Sequence, residues 1–177
     1  MKSLSNETSR REMAGQLVLR RGTLADIPFL MRTERLEGYG ELVGRWEEVQ
    51  HAAALADPQY ACFVAEANGE PVGFALLRDW ASANGVTLVQ RVAVARPGMG
   101  YGKAMMRAVV DTAFAETNVH RLWIGCFPEN LRARRTYEAV GFVAEGIARG
   151  NVFFLGRHRD ELVLSLLRPD WVAQKTG

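Results

Sequence analysis

Apolar and polar positions alternate in short runs through the first half of the chain. Leu17 to Arg20 alternates weakly. Thr23, followed three residues later by Asp26, then gives the N-terminal signature of a helix reaching about Leu36. Gly38 to Gly44 interrupts it, and Arg45 to Asp57 has helical composition until Pro58 stops it. Tyr60 to Ala67 and Pro71 to Trp80 read as strands on either side of Asn68-Gly69, a strong hairpin signal, so they are expected to pair antiparallel. A second turn, Ser82 to Gly85, leads into a strand from Val86 to Ala95.

The period then lengthens. From Gly102 to Thr117, residues Ala104, Met105, Ala108, Val109, Thr112 and Ala113 recur at spacings of three and four, which predicts a helix with one apolar stripe. Leu122 to Phe127 is almost continuously apolar and predicts a strand covered on both faces. Asn130 caps a short helix that Gly141 closes as a left-handed C-terminal cap. Two strands, Phe142 to Ala148 and Leu162 to Leu167, end the chain, joined by the polar stretch Arg149 to Glu161. The order β-α-α-β-β-β-α-β-α-β-β predicts an α/β (α+β) fold, a mixed sheet with helices on both faces.

Composition narrows the function more than the fold. With 177 residues, 48% hydrophobic and 24% charged, the chain suits one domain, expected over residues 17–177 after a flexible tail of residues 1–16. A net charge of +2 with the basic residues dispersed excludes a nucleic-acid binder, and the short Arg132 to Arg135 cluster does not reverse this. Cys62 and Cys126 are far apart and lack a metal-ligand spacing, so buried thiols in a reducing compartment are expected and no metal site. No apolar run approaches the roughly 18 residues of a membrane span, and the polar start lacks a signal-peptide core. A soluble cytoplasmic protein without membrane association is the expectation, with homodimer formation left open.

The candidate chemistry begins at Gly98, Gly100 and Gly102, between a predicted strand and a predicted helix. Bare amides and a helix N-terminus converging on one spot suit a phosphate, although a glycine turn that only redirects the chain has the same spelling. A dinucleotide fingerprint fails, because its third glycine slot holds Lys103 or Met105. A P-loop fails as well, because Gly102-Lys103 is followed by Ala104 and no hydroxyl is present for magnesium.

Gly100-Tyr101-Gly102 with Lys103 to Met106 resembles the (Q/R)-x-x-G-x-(G/A) pyrophosphate loop of the GNAT superfamily of acyl-CoA-dependent N-acyltransferases. Downstream, Asn130, Ala133, Tyr137, Glu138, Gly141 and Phe142 match that superfamily's second signature, N-x-x-A-x-x-x-Y-E-x-x-G-F. The resemblance spans Leu17 to Leu167. It implies a mostly antiparallel seven-stranded sheet with the fourth and fifth strands splayed, and acetyl-CoA as co-substrate. Val92, Ala93 and Val94 would then form the pantetheine platform. The amides of Met99, Gly100, Tyr101, Gly102 and Lys103, with Ala104 beside them, would meet the pyrophosphate, and Asn130, Ala133 and Arg134 would face the gap. Pro97 stands where the family has Gln or Arg and offers no amide, so weakened or shifted phosphate contact is expected.

Tyr137 is the expected donor of a proton to the departing thiolate, the alternative being a packed tyrosine with a satisfied hydroxyl. The general base is unassigned. Some relatives carry a glutamate five residues before the signature asparagine, where this chain has Gly125, so no carboxylate can act from that position. Glu34, Glu37, Asp79 and Gln90 are the other candidates, each also readable as a solvated surface group. The acceptor, a small-molecule or peptide amine, would meet Tyr39, Trp46, Arg149, Phe153, Phe154, His158 and Arg159. A non-catalytic acyl-CoA-binding regulatory module is the alternative function.

Overall fold

The computed structural model describes residues 17–176; the expected tail, residues 1–16, lies outside them. Strand β1 (Leu17–Arg21) is followed by a 3-10 turn and α1 (Ile27–Glu34), then α2 (Glu48–Ala56). Next come the meander β2 (Tyr60–Ala67), β3 (Glu70–Arg78) and β4 (Val86–Val94), then α3 (Tyr101–Glu116), β5 (Arg121–Cys126) and α4 (Leu131–Glu138). A hairpin of β6 (Val143–Phe154) and β7 (Arg157–Leu167) leads to α5 (Arg168–Thr176). The seven strands form one sheet in the order β1-β2-β3-β4-β5-β7-β6, antiparallel except for the β4–β5 pair.

Two cores clasp this sheet, and strand alternation sorts residues between them. Ala61, Phe63 and Ala65 of β2 join Met105, Val109 and Ala113 of α3 on one face. Cys62 of β2 and Phe74 and Leu76 of β3 join Leu30 of α1 and Ala54 of α2 on the other. The turn between β2 and β3 has positive φ at Asn68 (54°) and Gly69 (77°), the conformation that Asn-Gly favours in a two-residue hairpin.

Several expectations are corrected. The buried stripe of α3 is centred on Met105, Met106, Val109, Val110, Ala113 and Phe114, displaced from Ala104, Ala108 and Thr112. On β5 only one face is closed: Leu122 and Ile124 are buried, while Trp123 and Gly125 are half-buried, because α1 and α2 cover the sheet only as far as β4. The stretch from Arg149 to Glu161 is a continuation of the terminal strands, which turn at Leu155-Gly156. Both faces of its tip are exposed, so no apolar alternation marks it as a strand. Helix α5, absent from the predicted order, is held by Arg168, whose guanidinium donates to the carbonyls of Phe114, Thr117 and Val119 at 2.9, 2.7 and 2.8 Å. Trp171 stacks on Phe114 and donates to Asp111 Oδ1 at 2.7 Å.

Candidate active site

The sheet opens between β4 and β5. Pairing runs from Val86 with Arg121 to Val89 with Ile124 and then stops, although β4 continues to Val94. On its other edge Leu77 pairs with Val89 and Leu76 with Arg91, so Gln90 is the extra residue of a bulge. A bulge bends its strand and raises local twist, which turns β4 away from β5 at the point where pairing ends. The cavity in the opening, about 360 Å³, is lined on the β4 side by Val92, Ala93 and Val94 and on the far side by Gly125, Cys126, Asn130, Ala133 and Tyr137.

Backbone direction gives this cavity polar walls. Ala95 donates its N–H to Val72 of β3 at 2.8 Å, so the N–H and C=O groups of Val94 and Val92 point the other way, toward the opening. Tyr39 satisfies Val94: its hydroxyl donates to the carbonyl at 2.9 Å and accepts from the N–H at 3.4 Å.

At one end of the opening stands the N-terminus of α3. Its N-cap, Gly100, has φ of +85°, no side-chain cap serves it, and the first turn has no acidic residue. A residue with a Cβ would be strained at that φ, and nothing lies within 4 Å of where the Cβ would stand. The first-turn amides therefore point outward uncapped, the arrangement that binds an anion. Gly102, Lys103, Gly98 and Pro97 also line the cavity.

Met99, Tyr101, Ala104 and Arg134 were expected here and do not line it. Tyr101 turns its ring into the core and is 3% exposed, leaving only its amide on the outer side. Met99 packs half-buried on the same core. Arg134 pairs with Glu138 at 2.8 Å on the solvent side of α4, so the helix face turned to the cavity carries Asn130, Ala133 and Tyr137. Asn130 caps that helix, its side-chain oxygen accepting the Ala133 N–H at 3.2 Å.

Tyr137 is 7% exposed, and its hydroxyl makes no hydrogen bond to the protein among the described residues. Burial, reinforced by Cys126 and Tyr39 nearby, pushes the phenol above its ordinary range and keeps it protonated. The Cys126 thiol is likewise pushed up to about 11, by burial first and then by the Glu161 carboxylate. Burial pushes Cys62 up to about 12. Neither cysteine has the lowered pKa of a nucleophile.

The candidate bases fare differently. Glu34 is fully buried, and its Oε1 accepts from Arg91 Nε at 2.7 Å. Its Oε2 accepts the Trp46 N–H at 3.1 Å and faces His51 Nε2 at 3.3 Å. Burial alone pushes this carboxyl up, but the His51 hydrogen bond, the Arg91 charge and the Trp46 amide outweigh it and hold Glu34 below the ordinary range. The pair pins α1 to β4, and the Trp46 ring covers the Arg91 guanidinium at 4.5 Å. Glu37 is exposed, outside the lining. Asp79 pairs with Arg78 at 3.4 Å beyond the paired end of β4. Gln90 lines the cavity, with its side-chain oxygen buried and without a partner among the described residues.

Of the expected acceptor residues, Tyr39 lines the cavity, while Trp46 lies behind it on Arg91. Arg159 lies over the Phe127 ring at 3.6 Å, pairs with Glu129 and donates to the Glu41 carbonyl at 2.9 Å, tying the hairpin to the α1–α2 loop. Phe154 packs on Phe127 at 5.2 Å. Phe153 is 67% exposed, and Arg149 and His158 are exposed too, so none of the three faces the cavity. The sequence reading missed Cys126, Thr136 and Arg132, which line it; Arg132 also lies over the Tyr39 ring at 5.4 Å. Spacing from Asn130 was the signal available for Thr136 and Arg132. Among the described residues no cluster of His, Cys, Asp and Glu could hold a metal ion.

The mixed sheet is thus parted at its parallel strand pair, and an uncapped helix stands at the mouth of the opening. The acetyltransferase (GNAT) family model matches residues 29–142, and the chain belongs to that family. It is 45% identical over 76 residues to the probable N-acetyltransferase YjcK of Bacillus subtilis, covering 43% of this chain and 42% of that protein. It is 27% identical over 81 residues to the spermidine N(1)-acetyltransferase of Vibrio cholerae, 46% of this chain and 47% of that one. The chain thus spans less than half the length of these relatives. Among solved structures, the Vibrio cholerae spermidine N-acetyltransferase in complex with CoA and spermine superposes with a TM-score of 0.78 at 21% identity, over 89% of this chain and 99% of that chain. That likeness supports the fold.

Proposed function

We propose that this protein is an N-acetyltransferase that moves an acetyl group from acetyl-CoA to a primary amine by direct attack in a ternary complex, within one domain of residues 17–177. The observation that carries the reading is the opening between β4 and β5, which ends at the uncapped N-terminus of α3. Pyrophosphate would rest on the amides of Gly100 to Lys103, with the Lys103 charge beside them. The pantetheine arm would run along Val92, Ala93 and Val94 like an added strand. The thioester would then lie between the Gln90 bulge and Tyr137. Acetyl-CoA bound there supplies the activated acyl group.

Tyr137 would give its proton to the departing thiolate. A buried phenol is a weak acid, but the same burial raises a thiol in the same cavity, so the mismatch between them does not grow and positioning carries the effect. Nothing found supports a non-catalytic binding module. The acceptor class, a small-molecule or peptide amine, and a cytoplasmic location free of nucleic acid complete the reading. No helix among the described residues is long and apolar enough to cross a membrane.

Acetyl-CoA should raise the thermal midpoint, because a ligand that binds only the folded state stabilises it by mass action. Gly100→Asp sets a carboxylate against the pyrophosphate and should remove most of that rise. A folded G100D protein that keeps the full rise would show that the phosphate sits elsewhere.

A further inference from the structure

The slot left empty by Gly125 is filled from the neighbouring strand. Gly125 lies on β5 in the wall of the cavity, and β7 pairs with it so that Cys126 stands opposite Leu162 and Gly125 opposite Val163. Glu161, one residue before that pair, folds its side chain over Gly125. A Cβ built on Gly125 would fall inside the Glu161 carboxyl group and 2.7 Å from Glu161 Cγ. Any residue larger than glycine at 125 would need this side chain to leave, so the glycine and the glutamate form a matched pair. The sequence reading ruled out a carboxylate at this place because it considered only the residue's own strand.

We infer that Glu161 is the general base of the transfer, its carboxylate delivered by β7 to the acceptor side of β5. This rests on the acetyltransferase reading above. The other carboxylates near the opening are engaged or remote. Glu34 is buried against Arg91 and His51, and Glu129 pairs with Arg159. Glu161 is half-buried, forms no ion pair among the described residues, and is oriented by Asn151, which donates from Nδ2 to its Oε2 at 2.6 Å. One carboxylate oxygen is thereby fixed and the other is left to accept a proton.

Position on the sheet supplies the second argument. Leu162, Leu164 and Leu166 of β7 enter the core under α3 and α4, so Glu161 stands on the opposite face. Tyr137 belongs to that core, which puts the proposed acid and base on opposite sides of β5 at Gly125-Cys126. A thioester between them would have its sulfur toward Tyr137 and its carbonyl open to attack from the Glu161 side.

The protons balance. The acceptor enters as R–NH3+ and Glu161 takes one proton, freeing the nitrogen lone pair. That pair forms the C–N bond as the C–S bond breaks and its electrons pass to sulfur. Tyr137 protonates the sulfur, and the second nitrogen proton, passed through water, restores the phenol. The products are the acetamide, CoA thiol and one proton, which Glu161 returns to solvent.

The test uses Glu161→Gln, Glu161→Ala and the double variant Gly125→Asp with Glu161→Ala, which moves the carboxylate to the other strand. Amine-dependent release of CoA and calorimetric binding of acetyl-CoA are measured on each. The inference predicts unchanged acetyl-CoA affinity, a loss in kcat of about 100-fold or more for both single variants, and at least tenfold recovery in the double variant. An E161Q protein within threefold of wild-type kcat overturns it. So does a slow E161A protein that G125D fails to rescue, because the loss is then structural. A wild type that binds acetyl-CoA and acetylates no amine overturns the acetyltransferase reading and the base with it, whereas an active wild type with a fully active E161Q removes the base alone.

Discussion

The Tyr39 hydroxyl holds both the carbonyl and the N–H of Val94, at 2.9 and 3.4 Å, from a loop 55 residues away in sequence. If pantetheine pairs with β4 as proposed, it competes with this phenol for the same main-chain groups. Tyr39→Phe removes the competitor and keeps the ring in its buried cluster. A lost hydrogen bond of this kind is worth about 0.5 to 1.5 kcal/mol, so the free protein should lose that much stability. Acetyl-CoA should bind about 2- to 12-fold tighter, since 1.4 kcal/mol is tenfold. Calorimetry that finds affinity unchanged or lower would show that the cofactor does not take the Val94 groups.

Tyr137→Phe separates packing from chemistry. Packing alone predicts little change in turnover. A proton donor acts only as the thiolate leaves, so the expected result is a kcat lower by about 100- to 10,000-fold with acetyl-CoA affinity nearly unchanged. Steady-state kinetics beside calorimetry decides between the two, and an unchanged kcat with chemistry limiting would make Tyr137 a core residue only.

Arg91 faces Glu34 across the core, with side-chain exposures of 9% and 0%. Arg91→Met leaves the carboxylate buried beside His51 without its main counter-charge. Such a loss costs about 3 to 5 kcal/mol. Urea unfolding should show a loss of that size in the unfolding free energy, and a change below about 1 kcal/mol would mean that Glu34 is neutralised by its other partners.

Acid should weaken the fold through two carboxylates, one buried at Asp26 and one exposed at Glu145. Hydrogen bonding and charge from Arg20, with the Thr23 bonds, bring Asp26 to about 2 against burial, and Arg121 with Ser165 brings Glu145 to about 2. Each carboxyl is depressed in the folded state, so its contribution is complete above the unfolded value of about 4 and is lost as pH falls toward 2. Asp26, 8% exposed, should account for about 1 to 2 kcal/mol of this, and Glu145 for less because it is more exposed. Asp26→Asn should flatten the loss between pH 4 and 2 in urea titrations; a slope identical to wild type would contradict the assignment.

Most of the strand order and the cavity's outline could be read from local signals, because each rested on a feature with its own spelling. Asn68-Gly69 names its turn, Asn130 its cap, and Gly100 the bare N-terminus of α3. Relationships across strands had no such spelling. The partnership of Gly125 with Glu161 depends on β7 lying beside β5, and the Glu34–Arg91 pair joins residues 57 apart in sequence. Only the distal half of the β6–β7 hairpin, from Arg149 to Glu161, lacks a strand signal, because an exposed tip needs no apolar alternation. Helix α5 is anchored by the main chain at the end of α3 and just after it, which a helix signature in its own nine residues does not reveal.

Amine-dependent acetyl transfer is proposed for the β4–β5 opening. It is tested most directly by incubating the protein with acetyl-CoA and a panel of amines, including spermine and short peptides with free N-termini, and measuring released thiol and acetylated amine together. At least one amine should raise CoA release above the amine-free rate, with one acetyl group gained per thiol released. Tyr137→Phe should lower that rate while acetyl-CoA still binds. Saturable binding of acetyl-CoA with no amine raising thiol release would contradict the proposed transfer.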